Sequence, residues 1–236
     1  MSGRTALITG ASRGLGLALA QALAKQSWTL IINARNGDQL EKARATLAQH
    51  TTVFAIQGDV TSSDHHQALA QAIQTHGNGL DLLVNNASTL GASPLPALRV
   101  ITPQTLAHIF ETNVVAPLVL FQTVAPYLNA NARIINLTSD AAVEAYPTWG
   151  GYGASKAALE QLSAVLAVEQ PDLSVYWVDP GDMQTQMHQD AFPGEDITDR
   201  PLPEASVPGF LALINTDDYP SGRYQAQVLA QKVGAS

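Results

Sequence analysis

The N-terminal segment holds the arrangement that most restricts how this chain can fold. A short apolar run, Thr5–Thr9, predicts a buried strand, and the Ala/Leu-rich stretch Leu17–Ala24 predicts a helix. The turn between them carries Gly10, Gly14 and Gly16. A strand, a glycine-rich turn and a helix start present backbone N–H groups and a positive helix dipole to a phosphate. Because the spacing differs from the usual G-x-G-x-x-G fingerprint, a purely structural turn is the alternative.

The second informative feature is a tyrosine and a lysine four residues apart, Tyr152 and Lys156. In a helix this spacing places both side chains on one face. A free phenol has a pKa of about 10, and an adjacent ammonium that stabilises the phenolate should lower it. The pair therefore predicts a general acid/base that works near neutral pH. An ordinary half-buried tyrosine beside a solvated lysine would give the same pattern.

Together these features resemble the short-chain dehydrogenase/reductase family, and further residues agree with its motifs in order and spacing. Thr9 through Gly16 matches Thr-Gly-x-x-x-Gly-x-Gly, and Asn85-Asn86-Ala87-Ser88 matches Asn-Asn-Ala-Gly with serine in the last position. That serine is tolerable if Ser88 has an ordinary backbone conformation. The remaining matches are Asp59-Val60, Asn113, Ser139, Tyr152, Lys156 and Pro180-Gly181.

The resemblance implies a nicotinamide cofactor and a proton-transfer site. Tyr152 would deliver a proton to a substrate carbonyl, Ser139 would orient the carbonyl oxygen, and Lys156 would tune Tyr152 and hold the cofactor ribose. Asn113 would fix a water that links Lys156 to solvent. The sequence alone also allows Thr138 in place of Ser139, although the family spacing favours Ser139. The implied cofactor contacts are Gly10, Ser12, Arg13, Gly14, Leu15, Gly16, Arg35, Asp59, Val60, Asn86, Ala87, Tyr152, Lys156, Pro180 and Gly181.

The charges near the second predicted strand indicate which nicotinamide cofactor is preferred. A site selective for NAD needs an acid there to accept from the ribose 2′-hydroxyl, and that acid would repel a 2′-phosphate. The strand ends in Asn33-Ala34-Arg35, and no acid follows until Asp38. Arg13 lies in the glycine-rich turn. Two arginines at converging positions predict NADP(H), with Asp59 on the adenine side.

Composition excludes several other classes of function. The net charge of −8 argues against nucleic acid or an anionic membrane surface as a partner. The chain has no cysteine, so thiolate catalysis and disulfides are excluded, and its scattered histidines predict no metal site. We expect no signal peptide, because a strand follows directly after Gly3, and no apolar run of the about 20 residues that span a bilayer. The expected location is the cytoplasm.

Strands and helices alternate along the chain, which predicts an α/β fold with one doubly wound, Rossmann-type parallel sheet of about seven strands and helices on both faces. We expect a single domain over residues 1–236. Pro117 should kink the long fourth-to-fifth crossover, or neighbours should satisfy the backbone there. The predicted strands are Thr5–Thr9, Thr29–Asn33, Thr52–Gln57, Leu80–Asn85, Arg133–Thr138 and Ser174–Val178. The predicted helices beyond the first are Asp38–His50, Ser63–His76, Thr102–Leu128 and Tyr152–Glu169.

One segment, Met183–Pro208, differs from the rest because it is rich in proline and acidic residues. We call it the flap and expect an irregular substrate loop, at about residues 183–210, that covers the binding site. A surface loop without contacts is the alternative. Gly194 could be its hinge or simply part of a Pro-Gly turn.

These features predict an NADPH-dependent carbonyl reductase, or the reverse alcohol dehydrogenase, that acts on a small neutral or apolar substrate. The rival interpretation is a cofactor-binding, redox-sensing regulator without turnover, although such proteins usually lack the tyrosine or the lysine. The resemblance also implies a homodimer, formed through the helices Thr102–Leu128 and Tyr152–Glu169, or a homotetramer. The stretch Tyr219–Gln225 and the short tail after it differ from the extended glycine-rich ending common in fatty-acid-type reductases, which puts in doubt the contact made there in many tetrameric relatives.

Overall fold

The computed structural model describes residues 3–76 and 78–234. Its centre is a parallel sheet with the strand order β3-β2-β1-β4-β5-β6-β7, in which every neighbouring pair runs parallel. The strand order reverses between β1 and β4, which is where open α/β sheets bind ligands. The strands are β1 Thr5–Ile8, β2 Thr29–Ala34, β3 Val53–Gln57, β4 Leu80–Asn85, β5 Leu128–Leu137, β6 Ser174–Asp179 and β7 Gly222–Gln225.

Helices cover both faces of the sheet because alternate strand residues point to opposite sides. On one face, Ile8 and Ile32 share a core with α1, α2, α8 and α9, and on the other, Leu7 and Ile31 share a core with α3, α5 and α6. The doubly wound prediction is therefore confirmed. The helices are α1 Gly14–Lys25, α2 Gly37–Leu47, α3 Ser63–His76, α4 Pro103–Phe110, α5 Ala116–Val124, α6 Gly150–Glu169, α7 Gln186–Ala191, α8 Val207–Asn215 and α9 Ala226–Gly234.

Two strands depart from the sequence-based prediction. β5 begins at Leu128 and not at Arg133, with a register shift against β4 before it reaches the predicted core. β7 has the sequence Gly-Arg-Tyr-Gln, which lacks an apolar run, so no periodic pattern predicted this strand. It forms because its backbone pairs with β6, from Tyr176 opposite Gly222 to Asp179 opposite Gln225.

The long crossover is a helix interrupted by one wide turn. α4 passes into a π-helical turn, Glu111–Val115, and then into α5, where Pro117 is the second residue. Proline cannot donate to the carbonyl one turn earlier, and a π turn is a usual way for a helix to absorb such a break. The predicted kink therefore takes the form of a π turn.

The same crossover corrects the expectation that no segment is long and apolar enough to span a bilayer. The helical stretch Pro103–Tyr127 meets that criterion by length and composition, with a mean hydropathy of 1.3. Inner helices of water-soluble proteins meet the same criterion, so it is weak evidence. Here the stretch packs against α3 and α6, and it contains the fully buried Asn113.

The flap is more regular than predicted. It contains the short helix α7, and its last two residues, Val207 and Pro208, already belong to α8. Gln184 ties its two ends together, because its backbone N–H donates to the carbonyl of Pro201 at 2.9 Å. The side chain of Ser93 also donates to the carbonyl of Asp190 at 2.6 Å, which fastens α7 to the loop after β4. The flap is thus a folded cover with contacts at both edges.

Candidate active site

A cavity of about 520 Å³ lies at the carboxyl ends of the central strands. Its wall joins the glycine-rich turn, the ends of β2, β4, β5 and β6, the start of α6 and the first part of the flap. Three predicted site residues, Gly16, Asp59 and Asn113, do not line it. The predicted residues that do are Gly10, Ser12, Arg13, Gly14, Leu15, Arg35, Val60, Asn86, Ala87, Ser139, Tyr152, Lys156, Pro180 and Gly181.

The glycine-rich turn has the conformation that requires glycine. Gly10 and Gly14 have φ values of +67° and +56°, a region that other residues rarely adopt. Gly16 acts from behind the wall, because a Cβ there would lie 2.6 Å from the carbonyl oxygen of Gly10. The first turn of α1 holds no acidic residue, so its free N–H groups and dipole face the cavity uncompensated. This end of the cavity is suited to a phosphate.

The loop after β4 is locked to the turn after β1. The hydroxyl of Thr9 accepts from the backbone N–H groups of Asn86 and Ala87, both at 3.0 Å. The side chain of Asn86 donates to the carbonyl of Thr9 at 2.8 Å. Ser88 is not among the described non-glycine residues with positive φ, so its replacement of the family's glycine causes no backbone strain. The Asn-Asn-Ala motif therefore stabilises the cavity wall.

The two arginines expected to select the cofactor lie at the cavity rim. Arg13 and Arg35 are both exposed, and neither forms an ion pair with another described residue. Burial works to raise the pKa of Asp59, but hydrogen bonds from Thr61 and the charge of Arg35 outweigh it and lower that pKa. Asp59 accepts from Thr61 and so acts behind the wall at this end. The guanidinium groups are available to an anion.

Tyr152 and Lys156 meet at the opposite end of the cavity, on the first turns of α6. Both are buried, with 8% and 2% exposure, and the Lys156 ammonium lies 5.5 Å from the centre of the Tyr152 ring. Lys156 donates to the carbonyl of Leu137 at 2.7 Å. The helix places the two side chains together as the spacing of four predicts.

The electrostatics of this pair differ from the expectation. Burial raises the pKa of Tyr152, the charges of Asp140 and Asp179 add to that rise, and a hydrogen bond with Ser88 opposes it. Burial also lowers the pKa of Lys156 to about 7, so the lysine is only partly charged at neutral pH. The predicted lowering of the phenol pKa is therefore wrong, because burial and the two carboxylates raise that pKa.

The two hydroxyls at the end of β5 have different partners. Thr138 donates to Glu160 at 2.6 Å and is 3% exposed. Ser139 donates to Asp140 at 2.8 Å and is half-buried at the cavity wall. Both residues line the cavity, and the greater exposure of Ser139 favours it over Thr138 as the hydroxyl that can reach a substrate.

Asn113 lies behind the cavity in the π turn and is fully buried. Its oxygen accepts from Ser88 and from the backbone of Thr89, and its nitrogen donates to Thr89 and Ser155. These contacts join the β4 loop to α6, one residue before Lys156. The water that the resemblance assigns to Asn113 stays a prediction.

The sequence analysis missed an arginine that clamps the reacting end. Arg223 on β7 donates to Glu160 at 3.0 Å and to the carbonyl of Ser139 at 3.1 Å, and it lies 3.6 Å from Asp179. It therefore links the residue that follows Thr138 after β5 and the last residue of β6 to α6, through Ser139, Asp179 and Glu160. The only feature of the sequence that pointed to this clamp was the spacing of four between Lys156 and Glu160, because β7 itself has no strand pattern.

The wall above Tyr152 is apolar. Leu90, Leu95 and Ala141 form a small cluster with Tyr152, and Trp149 and Met187 pack against it. The ring of Trp149 meets that of Tyr152 edge-on at 5.7 Å between centroids.

Comparisons with known proteins agree with this geometry. Residues 4–196 match the family described as short chain dehydrogenase. The chain belongs to the short-chain dehydrogenase family. Among curated relatives of this short-chain dehydrogenase, the uncharacterized oxidoreductase YciK of Escherichia coli K12 is 31% identical over 225 residues, which covers 92% of this chain and 88% of YciK.

Solved structures of the family have the same fold. A short chain dehydrogenase from Shigella flexneri, complexed with NADP, has a TM-score of 0.89 and 30% identity and covers 96% of this chain and 98% of its own. One from E. coli CFT073, complexed with NADPH, has a TM-score of 0.87 and 29% identity over 96% and 98%. This short-chain dehydrogenase is therefore an oxidoreductase with a Rossmann-type fold, and its neighbours support a nicotinamide cofactor.

Proposed function

We propose that this protein is an NADP(H)-dependent carbonyl reductase that acts on a small neutral or apolar substrate, with the reverse alcohol oxidation as its other direction. One observation carries the proposal: a single cavity brings Ser139, Tyr152 and Lys156 together at one end and an uncompensated helix N-terminus with two arginines at the other.

The residues at the phosphate end fit a dinucleotide. Gly10, Gly14 and Gly16 allow the close backbone approach that a pyrophosphate needs, and α1 offers free N–H groups. Arg13 and Arg35 would grip a 2′-phosphate through charge-assisted hydrogen bonds. The NADP and NADPH complexes of the two structural neighbours agree with this choice.

At the reacting end, the bound cofactor supplies hydride to the carbonyl carbon. The Tyr152 hydroxyl donates its proton to the carbonyl oxygen, and Ser139 orients that oxygen by turning its own hydroxyl proton from Asp140 to it. A raised phenol pKa means that Tyr152 carries its proton at neutral pH, as a donor must. Lys156 holds the cofactor ribose, and it stabilises the phenolate that proton transfer leaves behind. Asn113 supports this end through Ser88 and Ser155.

The walls indicate the kind of substrate. Leu90, Trp149 and Met187 present apolar surface beside Tyr152. The carboxylates in the same wall, Asp140 and Asp179, disfavour an anionic substrate. A small neutral aldehyde or ketone fits both features.

The rival proposal, a redox-sensing regulator without turnover, shares the phosphate end with the enzyme. It gives no role to the apolar wall and the donor hydroxyls at the other end, so the enzyme is favoured.

A single domain in the cytoplasm stays part of our prediction. The homodimer is supported by exposed Val115, Val165 and Val168, which lie on the two helices expected to form its contact.

The test is a panel of aldehydes, ketones and diketones followed by NADPH absorbance, with NADPH binding measured in parallel. We expect turnover of at least one neutral carbonyl compound. Tyr152→Phe should reduce that turnover to below a few per cent while NADPH affinity changes little, because only the donor oxygen is lost. Tyr127→Phe, which removes the same oxygen from a tyrosine outside the cavity, is the matched control and should remain active. An active Tyr152→Phe enzyme, or NADPH binding without any turnover, would overturn the proposal.

A further inference from the structure

Asp140 follows Ser139 directly and lines the same cavity, but neither the family resemblance nor the proposed chemistry gives it a role. One carboxylate oxygen accepts from the Ser139 hydroxyl and from the backbone of Ala141, each at 2.8 Å. The other oxygen accepts from the Tyr146 hydroxyl at 3.0 Å. Hydrogen bonds thus fix the carboxylate from both sides, and its closest polar neighbour in the cavity is Ser139.

The charge of Asp140 has no cationic partner among the described residues. Its neighbours in the wall do: Asp179 lies 3.6 Å from Arg223, and Asp182 lies within 4 Å of both His188 and Arg200. The hydroxyl of Tyr146 also contacts Glu144 at 2.8 Å, so a further acid stands behind Asp140. An unpaired charge at a partly dry cavity wall acts over several ångströms.

The groups that face Tyr152 come from four elements. Ser88 approaches from the loop after β4 and Lys156 from the next turn of α6, while Asp140 comes from the turn after β5 and Asp179 from the end of β6. His188 on α7 lines the same cavity. After burial, the two carboxylates are what raises the pKa of Tyr152, and only Asp179 has an arginine to offset its charge.

We propose that Asp140 is a positioning residue: its carboxylate holds the Ser139 hydroxyl in place and supplies a fixed negative charge that opposes ionisation of Tyr152. The inference rests on the proposed role of Tyr152 as proton donor. Its consequence is that carbonyl reduction continues to a higher pH than it would beside a neutral residue, because the donor keeps its proton.

Asp140→Asn tests this directly, because asparagine keeps the size and an acceptor oxygen but removes the charge. We expect the high-pH decline of kcat/KM for carbonyl reduction to move to lower pH by about half a unit or more. The rising limb of alcohol oxidation should move in the same direction. Tyrosinate difference absorbance of the NADP⁺ complex, with Tyr152→Phe as the blank, should show the same shift without any turnover.

Tyr146→Phe is the matched control, since it removes one hydrogen bond to Asp140 and leaves the charge. Its pH profile should keep its position. Asp140→Ala, which removes both the charge and the acceptor of the Ser139 hydroxyl, should show the same pH shift. If Asp140→Asn does not fold, Asp140→Ser, which also keeps an acceptor oxygen, carries the same expectation.

An Asp140→Asn profile that stays in place, or that falls equally at every pH, overturns the inference and leaves the carbonyl reductase proposal standing. Turnover that survives Tyr152→Phe overturns the proposed function instead. The two failures are therefore distinguishable.

Discussion

The two ends of the cavity are built in different ways. The phosphate end comes from one short stretch of chain, the turn from Gly10 to Gly16, with Arg35 added from the next strand. The reacting end gathers Ser139, Tyr152, Asp179 and Arg223 from four separate elements, and one guanidinium ties them together. The charges differ as well, since unpaired arginines line the first end and carboxylates line the second. The difference teaches that phosphate binding is encoded locally, whereas the reaction geometry depends on long-range contacts.

The largest effect should come from removing the positive charge of the phosphate end. Changing Arg13 and Arg35 together to alanine should weaken NADPH by a hundredfold or more, because each charge-assisted contact contributes about 1.5–3 kcal/mol. NADH, which lacks the 2′-phosphate, should bind almost as before. Calorimetry with both cofactors measures the difference, and Arg99→Ala, an exposed arginine outside the cavity, is the control. Equal weakening of both cofactors would show that the two arginines do not read the 2′-phosphate.

A substitution of Arg223, the clamp, should affect the reacting end much more than the phosphate end. Arg223→Met should lower kcat by roughly tenfold or more, because Glu160 and Asp179 lose a partner and the Ser139 carbonyl loses a donor worth about 1–2 kcal/mol. NADPH affinity should fall much less. Steady-state kinetics and NADPH titration give the two numbers.

Arg133→Met is the control for the clamp. Arg133 also donates to main-chain carbonyls, those of Leu213 and Thr216, but it does not line the cavity. The Arg133→Met variant should have a lower free energy of unfolding without a selective loss of kcat. If Arg223→Met weakens NADPH as much as it lowers kcat, the two ends are not built separately.

Lys156 should couple cofactor binding to pH. Burial lowers its pKa to about 7, and an anionic cofactor would raise it again, so NADPH binding at about pH 8 should take up a proton. Calorimetry in two buffers of different ionisation enthalpy counts that proton. Lys156→Met should abolish the uptake, and the exposed Lys25→Met should not. Proton uptake that persists in Lys156→Met would assign it to another group.

The same lysine should destabilise the protein without cofactor. Between pH about 7 and 10.5 the folded protein binds fewer protons than the unfolded chain, so the contribution of Lys156 to the free energy of unfolding rises with pH across this window. Below it, the buried lysine is charged and its cost is greatest. Lys156→Met should therefore raise thermal stability most below about pH 7, as scanning fluorimetry would show; a gain that grows with pH would contradict the assignment.

The smallest expected effect concerns the flap. Hydrogen exchange there should slow when NADPH binds, because the first part of the flap lines the cavity and a ligand adds contacts to it. In this structure Thr185 already lies 3.5 Å from the place that a Cβ on Gly14 would occupy. Gly194 has φ +85°, and a Cβ built on it would meet no atom within 4 Å, which leaves room for a hinge. Unchanged exchange in the flap, with protection at the glycine-rich turn, would reduce it to a passive cover.

The contrast between the two ends also explains what the sequence could reveal. Local backbone rules govern the turn from Gly10 to Gly16 and the Tyr152–Lys156 spacing, so both could be predicted from the sequence. β7 and Arg223 were not, because their role depends on pairing with β6, which leaves no periodic pattern. The direction of the pKa shift of Tyr152 was predicted wrongly for a related reason. Burial and carboxylates that are distant in sequence decide that direction. The cover formed by α7 was likewise hidden, because Gln186–Ala191 is too short a helix to show a periodic apolar face.

The π turn at Glu111–Val115 has a further consequence, for insertions and deletions. A π turn carries one residue more than an α-helix needs, so a single deletion within it would join α4 and α5 into one regular helix, in which Pro117 would cost about 3 kcal/mol. The same deletion would turn Asn113 away from Ser88 and Ser155 by about 100°, the angle between successive helix residues. A shortened chain could thus keep its fold and lose the join between the β4 loop and α6. The number of residues in the π turn is therefore constrained more tightly than the identity of those residues.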